Sequence, residues 1–553
     1  MPSELDRRFD EELARVTGPG GRLVIGRDDL GRGIVTNFPA TLPEFFKAFC
    51  RLNGANEAVV AGDERLTFAD LDRISDRLAP ALIARGLTKG DRVGIAMRNC
   101  PSWIVSYMAI IKAGGIATLL NGWWESQEME HAIRLTEPVL IIADGPRGER
   151  IAARCGDVET VGLDIRLPVE QAIAPLLEGA RGDEPLPQLS PEDDATILFT
   201  SGSTGDAKGA LSTHRAVTTG TYAYSTGLIV LLGILTEDGN APTSPARTLL
   251  SVPLFHVTGE VPVMLNSFVI GRCMVIMPKW DATEALRLIE KEKVTYFVGV
   301  PTMSLEIMNH RDREKYDLSS LRDITAGGAP RPVSHVERLR TAFPEANPAL
   351  GYGLTETNAT GCANFWSSYV AKPASTGRAQ KPLVEVAILG EGDRQLATGE
   401  VGEIGIRTAA NIKGYFRNPE ATAATLSADG WVRTGDVGYL DEDGYLFIVD
   451  RKKEIIIRGG ENISAAEVEA ECYACPAVEE AAVFGTPDER LGEVPMAVIY
   501  VKSALTEGEL RQFLDGRIAK FKIPERIIFS KEPLPRLGTG KIDRRALKAQ
   551  FAH

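Results

Sequence analysis

Cysteine and histidine are scarce in this chain, which contains seven cysteines and six histidines among 553 residues. Cysteines that are few and scattered are typical of a reducing compartment and give no disulfide framework. Cys472 and Cys475 form a single Cys-x-x-Cys, but no second pair or nearby histidine completes a zinc site, and the histidines have no metal-ligand spacing. We therefore interpret Cys472 and Cys475 as ordinary thiols.

Basic residues are fewer than acidic ones, with 62 against 75, so the formal net charge is -13. This balance argues against nucleic acid or an anionic membrane as the main partner. The N-terminal residues 1–10 are charged and lack the apolar core of a secretory signal, and the most apolar run, residues 228–235, is far shorter than the ~20 residues that cross a bilayer. The sequence predicts a cytoplasmic protein without a transmembrane segment, in which residues 228–235 form a buried helix.

The length of the chain exceeds what one hydrophobic core supports, so at least two domains are expected. Between residues 42 and 144, and again between 248 and 326, short apolar strands alternate with helix-period stretches, a pattern that predicts parallel sheets covered by helices. Residues 384–449 change to short strands with glycine turns, interrupted by a helix that should begin at Asn418-Pro419. A charged junction at 450–454 precedes a separate βα pattern.

We therefore predict an α/β protein with two domains. The large N-terminal domain, residues 1–450, would consist of helix-covered sheets with a β-rich subdomain. The small, mobile α+β C-terminal domain, residues 451–553, would be joined to it by a hinge near 450–453.

The motif that most strongly indicates function is TSGSTGDAKG at residues 200–209, directly after the apolar strand pattern of 195–199. Glycines allow the backbone to approach an anion, while hydroxyls and an ammonium supply donors and charge. The motif is not a Walker loop, because Ala207 precedes Lys208 where a glycine is needed and Gly209 follows where a hydroxyl is needed. A flexible linker is the alternative, but linkers seldom follow a buried strand directly. The sequence predicts a phosphate-binding loop.

Three further clusters follow along the chain: GYGLTET at 351–357, TGD at 434–436 and PRLGTGK at 535–541. Taken singly, each has an ordinary explanation: a turn with a buried tyrosine, a turn aspartate, and a solvated lysine on a glycine loop. Taken together and in this order, the blocks resemble the adenylate-forming superfamily of acyl-CoA synthetases, peptide-synthetase adenylation domains and luciferases. The resemblance covers nearly the whole chain.

The resemblance implies a set of ligands for ATP and Mg²⁺. Tyr352, between Gly351 and Gly353, would lie on adenine, and Asp436, assisted by Arg451, would bind the ribose hydroxyls. Glu356 would bind Mg²⁺ through a hard carboxylate oxygen, with Thr204 also near the metal. The other residues implied at the nucleotide are Thr200, Ser201, Gly202, Ser203, Gly205, Lys208, Gly328, Ala329 and Thr355.

The resemblance also makes Lys541 the catalytic lysine, because a carboxylate that attacks a phosphate brings two anions together and needs a cation between them. In the superfamily the small domain then rotates about a hinge, which aligns here with Lys453. Gly459 and Gly460 would line the pantetheine tunnel after rotation, although Arg458-Gly459-Gly460 is also explained as a tight turn. Acetylation of Lys541 by a lysine acetyltransferase would cancel its charge.

The block PLFHVTG at 253–259 resembles the opening of the acyl pocket in fatty acyl and hydroxycinnamate CoA ligases. His256 would lie beside the substrate carboxylate and control access of the thiol, with a core histidine as the alternative. No aspartate stands at 255–259 to pair with a substrate amine, which disfavours a peptide-synthetase domain. Candidate pocket walls, judged by resemblance, are Thr258, Pro262, Gly299, Val300, Thr302, Gly327, Gly328 and Ala329; these are mostly small, so the acid should be larger than acetate.

The function predicted from the sequence is that of an ATP-dependent acid-CoA ligase that forms an acyl-AMP and then an acyl-CoA. A medium- or long-chain fatty acid is the first choice of substrate, and an aryl or other hydrophobic carboxylate is the second. An acyl-AMP ligase that serves a carrier protein and a non-catalytic nucleotide-binding regulator remain as alternatives. The expected partners are the acid, ATP with Mg²⁺, and CoA, without nucleic acid, in a monomer or homodimer.

Overall fold

The computed structural model describes residues 3–179, 182–200, 207–329, 331–452, 454–458, 461–488, 490–537 and 541–551. These described residues form four β-sheets, of two, seven, thirteen and five strands. The prediction of an α/β fold with a large N-terminal and a small C-terminal domain is confirmed.

The first part of the chain alternates helices with short strands. Its elements are α1 (Glu4–Thr17), β1 (Ile25–Arg27), β2 (Gly33–Val35), α2 (Leu42–Asn53), β3 (Glu57–Ala61), β4 (Glu64–Thr67), α3 (Phe68–Ala84), β5 (Arg92–Ala96), α4 (Pro101–Lys112), β6 (Ile116–Leu119), α5 (Ser126–Thr136), β7 (Leu140–Asp144), α6 (Gly145–Cys155), β8 (Thr160–Leu163), α7 (Val169–Ala172) and α8 (Ala174–Leu177).

The middle of the chain completes the helix-covered sheets. Its elements are β9 (Asp194–Thr200), β10 (Lys208–Thr213), α9 (His214–Glu237), β11 (Arg247–Leu250), a π-helix (Gly259–Leu265), α10 (Asn266–Ile270), β12 (Cys273–Ile276), α11 (Ala282–Glu292), β13 (Tyr296–Gly299), α12 (Pro301–Asn309), β14 (Asp323–Ala326), α13 (Val333–Ala342), β15 (Asn347–Gly353), β16 (Gly361–Phe365) and α14 (Trp366–Ala371).

The last part holds the β-rich segment and the small lobe. The β-rich segment contains β17 (Gly377–Ala379), β18 (Val384–Leu389), β19 (Gly402–Thr408), β20 (Gly414–Tyr415), α15 (Pro419–Thr425), β21 (Trp431–Leu440) and β22 (Tyr445–Arg451). The small lobe contains β23 (Ile456–Arg458), β24 (Glu461–Ile463), α16 (Ala465–Ala474), β25 (Val478–Asp488), β26 (Gly492–Val501), α17 (Glu507–Leu514), β27 (Arg526–Ser530) and α18 (Arg544–Phe551).

The large lobe is built mainly on two sheets, besides the small sheet of β1 and β2. The seven-stranded sheet has the order β20-β10-β9-β6-β5-β7-β8, and the thirteen-stranded sheet has the order β18-β19-β21-β22-β17-β16-β15-β14-β13-β11-β12-β3-β4. In the second sheet, the strands from β3 and β12 through β11, β13, β14 and β15 are parallel. The carboxyl ends of β13, β14 and β15 therefore meet at one edge, where open α/β sheets place their ligands.

The core of the large lobe lies between its sheets and the helices that cover them. All residues of α4 are buried. α9 is the one helix among the described residues that is long and apolar enough to span a membrane, but 67% of its apolar window is buried inside the protein, as expected of a core helix. The predicted buried helix at 228–235 is the C-terminal part of α9, where Leu232 remains 44% exposed.

The chain leaves the large sheet at the end of β22 and enters the five-stranded sheet of the small lobe at β23. Ser464, which follows β24, donates its hydroxyl proton to the carbonyl oxygen of Val449 on β22 over 2.6 Å and also caps α16. Cys472 and Cys475 are buried in the small lobe. Among the described residues, no group of three or more histidine, cysteine, aspartate or glutamate side chains is placed to hold a metal ion.

The predicted capped helix in the β-rich segment is present as α15. The side chain of Asn418 accepts a hydrogen bond from the backbone N-H of Ala421, and Pro419 occupies the first helical position. The local signals of cap and proline therefore placed this helix correctly.

Candidate active site

The two ends of the predicted phosphate loop form a β-hairpin. Thr200 ends β9, Lys208 begins β10, and these two residues are register partners in the antiparallel pair. The Nζ atom of Lys208 lies 5.1 Å from the centroid of the Tyr415 ring on neighbouring β20. The predicted ligands Ser201, Gly202, Ser203, Thr204 and Gly205 lie outside the described residues.

Glu356 lies in a short 3-10 helix, Thr355–Thr357, after β15. The Tyr415 hydroxyl donates to Oε1 of Glu356 over 2.6 Å. The turn that follows is left-handed at Asn358 (φ 47°) and Ala359 (φ 66°), and the Asn358 amide secures it by donating to the carbonyl oxygen of Ala410 over 2.7 Å. Oε2 of Glu356 forms none of the hydrogen bonds found among the described residues, so it can bind a hard cation.

Tyr352, Asp436 and Arg451 join three strands of the large sheet. The Tyr352 hydroxyl donates to Oδ2 of Asp436 over 2.7 Å, and Nε of Arg451 donates to Oδ1 over 3.1 Å. Gly353 must be glycine, because a Cβ there would lie 1.9 Å from the carbonyl oxygen of Ala359. The structure thus brings together the residues that the sequence assigned to adenine and ribose.

Lys541 of the small lobe reaches into the large lobe. Its Cε and Nζ lie 3.5 and 3.8 Å from the position of a Cβ built on Gly328, which has a φ of 75°. Loss of hydration, together with the nearby charge of Arg451, lowers the pKa of Lys541 to about 8, and Asp436 opposes this change. Burial, with the charge of Lys541, lowers the pKa of His256 to about 3. Lys541 therefore lies beside Gly328, and its charge interacts with His256, Asp436 and Arg451 of the large lobe.

His256 lies in a tight turn before the π-helix. Its ring Nδ1 accepts a hydrogen bond from the backbone N-H of Thr258 over 3.3 Å, and its carbonyl oxygen accepts from the backbone N-H of Gly259 over 2.8 Å. A Cβ on Gly259 would lie 2.1 Å from the carbonyl oxygen of Pro253, so the turn requires glycine. Pro262 lies inside the π-helix. A π-helical turn beside a candidate site is a common functional feature.

The predicted pocket walls divide between the two faces of the sheet. Val300 and Gly327 follow β13 and β14 on one face, because side chains alternate along a strand. Gly299 alternates onto the opposite face, where a Cβ would lie 2.9 Å from Sδ of Met303 and 3.2 Å from Cζ of Phe297. Thr302 lines a different space, described next.

A cavity of about 250 Å³ lies between the lobes and is lined by Phe255, the neighbour of His256 in sequence. Arg536 and Leu537 of the small lobe close one side of it, and the walls are mostly apolar. Three basic side chains of the large lobe, Arg98, Arg147 and Lys279, also line the cavity. The remaining lining residues include Met97, Asn99, Gly122, Trp123, Ser251, Pro253, Phe255, Pro278, Trp280, Thr302, Met303 and Glu306.

Some site residues lie outside the described residues, and others were missed in the sequence. The predicted hinge residue Lys453 and the predicted CoA residues Gly459 and Gly460 belong to the first group. Tyr415 belongs to the second: it contacts Glu356 from 59 positions away, and no local pattern announces that contact. The one sequence feature that could have drawn attention to Tyr415 was its position just before the capped helix α15.

Comparison with known proteins finds a family match for each of the two lobes. Residues 46–416 match the family model described as AMP-binding enzyme, and residues 467–541 match the one described as AMP-binding enzyme C-terminal domain. The chain is 34% identical over 526 residues to a long-chain-fatty-acid–CoA ligase of Bacillus subtilis (strain 168), covering 88% of this chain and 90% of the relative.

Two further relatives extend the range of named substrates. The chain is 34% identical over 506 residues to a feruloyl-CoA synthase of an Amycolatopsis species, covering 91% of this chain and 97% of the relative. It also resembles the solved structure of o-succinylbenzoate coenzyme A synthetase of Bacillus subtilis in complex with ATP and a magnesium ion. That match has a TM-score of 0.75 and 27% identity and covers 91% of this chain and 99% of that one.

Proposed function

The chain belongs to the AMP-binding enzyme family and is an AMP-forming acyl-CoA synthetase, and on this premise we propose how its residues activate an acid and transfer it to coenzyme A. One observation carries the proposal: Lys541 of the small lobe lies beside Gly328 of the large lobe, where its charge interacts with His256, Asp436 and Arg451. This arrangement suits the first of two half-reactions.

In the first half-reaction, an oxygen of the substrate carboxylate attacks the α-phosphorus of ATP. The new O-P bond forms as the bond to pyrophosphate breaks, so the products are an acyl-AMP and pyrophosphate. Lys541 would lie between the two anions and reduce their repulsion, the kind of preorganised charge that commonly contributes about 10² to 10³ in rate. No side-chain nucleophile is needed.

The nucleotide would be held by the residues around Tyr352. The ring of Tyr352, between Gly351 and Gly353, would contact adenine, and Asp436 would bind the ribose hydroxyls with the help of Arg451, a role that the contacts of Tyr352 and Arg451 with Asp436 support. Lys208 and Thr200, with the loop between them, would bind the β- and γ-phosphates. Gly328, Ala329 and Thr355 would complete the site near the α-phosphate.

Glu356 is the proposed Mg²⁺ ligand, together with Thr204 of the phosphate loop. The hydrogen bond from Tyr415 fixes Glu356 and leaves Oε2 for a cation, which fits the preference of Mg²⁺ for carboxylate oxygen. When bound, the metal would offset the negative charge of the phosphates.

In the second half-reaction, the thiol of coenzyme A attacks the acyl carbonyl, and AMP leaves as the C-S bond forms. We propose that the small lobe rotates near 450–453, with Lys453 as the hinge, to remove Lys541 and present Gly459 and Gly460. The cavity between the lobes supports this route, because Phe255 lines it beside His256, and Arg98, Arg147 and Lys279 can attract the phosphates of coenzyme A.

The proposed substrate is a hydrophobic carboxylic acid, with a medium- or long-chain fatty acid as the first candidate. The face that carries Val300 and Gly327 would receive the acyl chain, because these two residues at the ends of β13 and β14 are small. Similarity to a fatty-acid ligase supports this choice, and equal identity to a feruloyl-CoA synthase supports an aryl acid as the second candidate.

The test combines purified protein with ATP, Mg²⁺, a panel of acids and coenzyme A, and measures AMP, pyrophosphate and thioester by mass spectrometry. We expect AMP, pyrophosphate and acyl-CoA in equal amounts with at least one acid. Absence of AMP with every acid would overturn the proposal. Accumulation of acyl-AMP without thioester at saturating coenzyme A would instead identify a ligase that serves a carrier protein.

A further inference from the structure

A group of polar side chains lies at the far end of the sheet face that carries Val300 and Gly327. Tyr296 begins β13 and Asp323 begins β14, and the two are register partners. Because side chains alternate along a strand, Tyr296 shares its face with Val300, and Asp323 shares its face with Gly327. The four residue steps from Asp323 to Gly327 correspond to about 13 Å. The group therefore lies about 13 Å from the end of the pocket that meets Lys541.

Arg272 completes this group, and we call Arg272, Tyr296, Asp323 and Thr325 the polar floor. The guanidinium carbon of Arg272 lies 4.6 Å from the centroid of the Tyr296 ring. Its Nε donates to Oγ of Ser267 over 2.9 Å, and Nη2 donates to the carbonyl oxygens of Pro262 and Val263 in the π-helix. Among the described residues, no hydrogen-bond partner of Nη1 is found, although Arg272 is only 3% exposed.

Asp323 is held from the other side by Trp366. The indole Nε1 of Trp366 donates to Oδ1 of Asp323 over 2.7 Å, and Oδ2 forms no hydrogen bond with the rest of the described chain. Trp366 has a φ of 51°, a left-handed conformation that is strained for an aromatic residue. Strained residues concentrate at functional sites, where surrounding structure holds them.

The polar floor is not fully covered by the surrounding protein. Tyr296, Asp323 and Thr325 lie on central strands and are only half-buried, whereas Phe297 and Ile324 on the opposite face are buried. Burial nevertheless raises the pKa of Tyr296 and raises that of Asp323 to about 6. Partial exposure combined with loss of hydration is expected of groups that line a cavity inside the protein rather than its outer surface.

The charges of the polar floor nearly cancel. Arg272 supplies a cation that the carboxylate of Asp323 can offset, because the charge of each acts on the other. A second carboxylate on the substrate would meet Asp323 as well as Arg272 and would lose hydration without a net counter-charge. An uncharged oxygen can accept from Arg272 or Tyr296, and a hydroxyl can also donate to Asp323.

We propose that the polar floor recognises a hydroxyl or carbonyl oxygen at the distal end of the substrate, so that the enzyme selects an oxygenated acid about as long as its pocket over the plain acid of equal length. This inference rests on the proposed acid-CoA ligase function and adds the chemical class of the acid. A plain alkyl end would leave Nη1 of Arg272 and Oδ2 of Asp323 without a hydrogen-bond partner among the described residues, and unpaired polar atoms in a pocket give strong discrimination.

The experiment compares kcat/KM for matched acids in ATP-dependent release of pyrophosphate. The pairs are octanoic with ω-hydroxyoctanoic acid and decanoic with ω-hydroxydecanoic acid, and the dicarboxylic acids of the same lengths, suberic and sebacic acid, test the charge argument. We expect the better hydroxy acid to exceed its alkanoic partner by at least about 10-fold, and both dicarboxylic acids to be poor substrates.

Two conservative variants connect this preference to the polar floor. Tyr296→Phe keeps the ring against Arg272 and removes the hydroxyl, and Asp323→Asn keeps the shape and removes the charge. Each should lower kcat/KM for the hydroxy acid by about 10-fold while that for the alkanoic acid changes little, which also shows that the variant is folded. Tyr316→Phe, which removes a phenol outside this face, is the matched control and should change neither.

Three outcomes would overturn the inference. These are an equal or greater kcat/KM for the alkanoic acid in the unaltered enzyme, a preference for the dicarboxylic acid, or an equal loss for both acids of a pair in Tyr296→Phe and Asp323→Asn. Failure of the proposed function is distinguishable, because no acid of either series would then release pyrophosphate. Activation of all of them alike would contradict only the recognition of a distal oxygen.

Discussion

The hydroxyl of Tyr415 donates a hydrogen bond of 2.6 Å to Oε1 of Glu356, and the same ring lies 5.1 Å from Nζ of Lys208. One tyrosine thus contacts both a proposed Mg²⁺ ligand and a proposed phosphate ligand. Tyr415→Phe should keep the ring against Lys208 and release Glu356. Because a hydrogen bond to a charged group contributes about 1.5 to 3 kcal/mol, we expect KM for Mg²⁺-ATP to rise by about 10-fold.

Initial rates measured against Mg²⁺-ATP concentration check this prediction. Tyr439→Phe is the control, since Tyr439 lies in the thirteen-stranded sheet, away from β20, and stacks there on Phe447. An unchanged KM in Tyr415→Phe would mean that Glu356 is positioned by its turn alone.

Lys541→Ala should separate the two half-reactions. Loss of the cation should slow formation of acyl-AMP by about 10² to 10³, while chemically prepared acyl-AMP is still converted to acyl-CoA. Single-turnover assays of each half-reaction measure the two rates separately. Lys548→Ala, in α18 at the surface of the same lobe, is the matched control. If Lys541→Ala slowed both half-reactions equally, that result would contradict the proposal that Lys541 leaves the site before the thioester forms.

Acetylation of Lys541 should have the same selective effect as its removal, because it eliminates the positive charge. Protein carrying acetyl-lysine at position 541 should lose acyl-AMP formation, and deacetylation should restore it. Mass spectrometry of the protein from resting cells should detect the modified lysine. Only unmodified Lys541 under these conditions would count against regulation by an acetyltransferase.

The contact between His335 and Tyr473 joins the lobes in the present arrangement. His335 lies on α13 of the large lobe and Tyr473 on α16 of the small one, with ring centroids 6.2 Å apart in an edge-to-face arrangement. Such a pair contributes about 0.5 to 1.5 kcal/mol, so Tyr473→Ala should slow acyl-AMP formation several-fold and leave thioester formation unchanged.

Tyr473→Phe preserves the ring and serves as the control for this contact. The thermal midpoint of both variants shows whether the small lobe remains folded. If Tyr473→Ala slows the two half-reactions equally, the contact supports the small lobe rather than the arrangement of the lobes.

Local patterns predicted much of this protein, because strand alternation, caps and glycine loops are decided by neighbouring residues. Asn418 and Pro419 placed α15, and Lys541 lies beside Gly328, another residue that the resemblance assigned to the nucleotide. Contacts that depend on register between distant strands were not predictable. Examples are the support of Glu356 by Tyr415, the rotation of Gly299 onto the opposite face, and the pairing of Tyr296 with Asp323.

The depressed pKa of Lys541 predicts a pH dependence confined to the first half-reaction. Its usual pKa of 10.5 falls to about 8 in the closed arrangement, chiefly through burial and then through the charge of Arg451. In the arrangement described here, with Lys541 beside Gly328, the lysine binds its proton less tightly than it does in water. Without nucleotide, this arrangement of the lobes is therefore disfavoured while Lys541 is protonated, below a pH of about 8, and it becomes more favourable as the pH rises. The catalytic cation, however, is lost over the same range.

We therefore expect acyl-AMP formation at low ATP concentration to decline as the pH rises through about 8, and thioester formation from acyl-AMP to lack this decline. Arg451→Gln removes the second cause of the lowered pKa and should move the decline to higher pH, whatever it does to the rate. A midpoint unmoved by Arg451→Gln, or one shared by both half-reactions, would assign the decline to a group other than Lys541. Saturating ATP should also raise the midpoint, because its phosphates favour the protonated lysine.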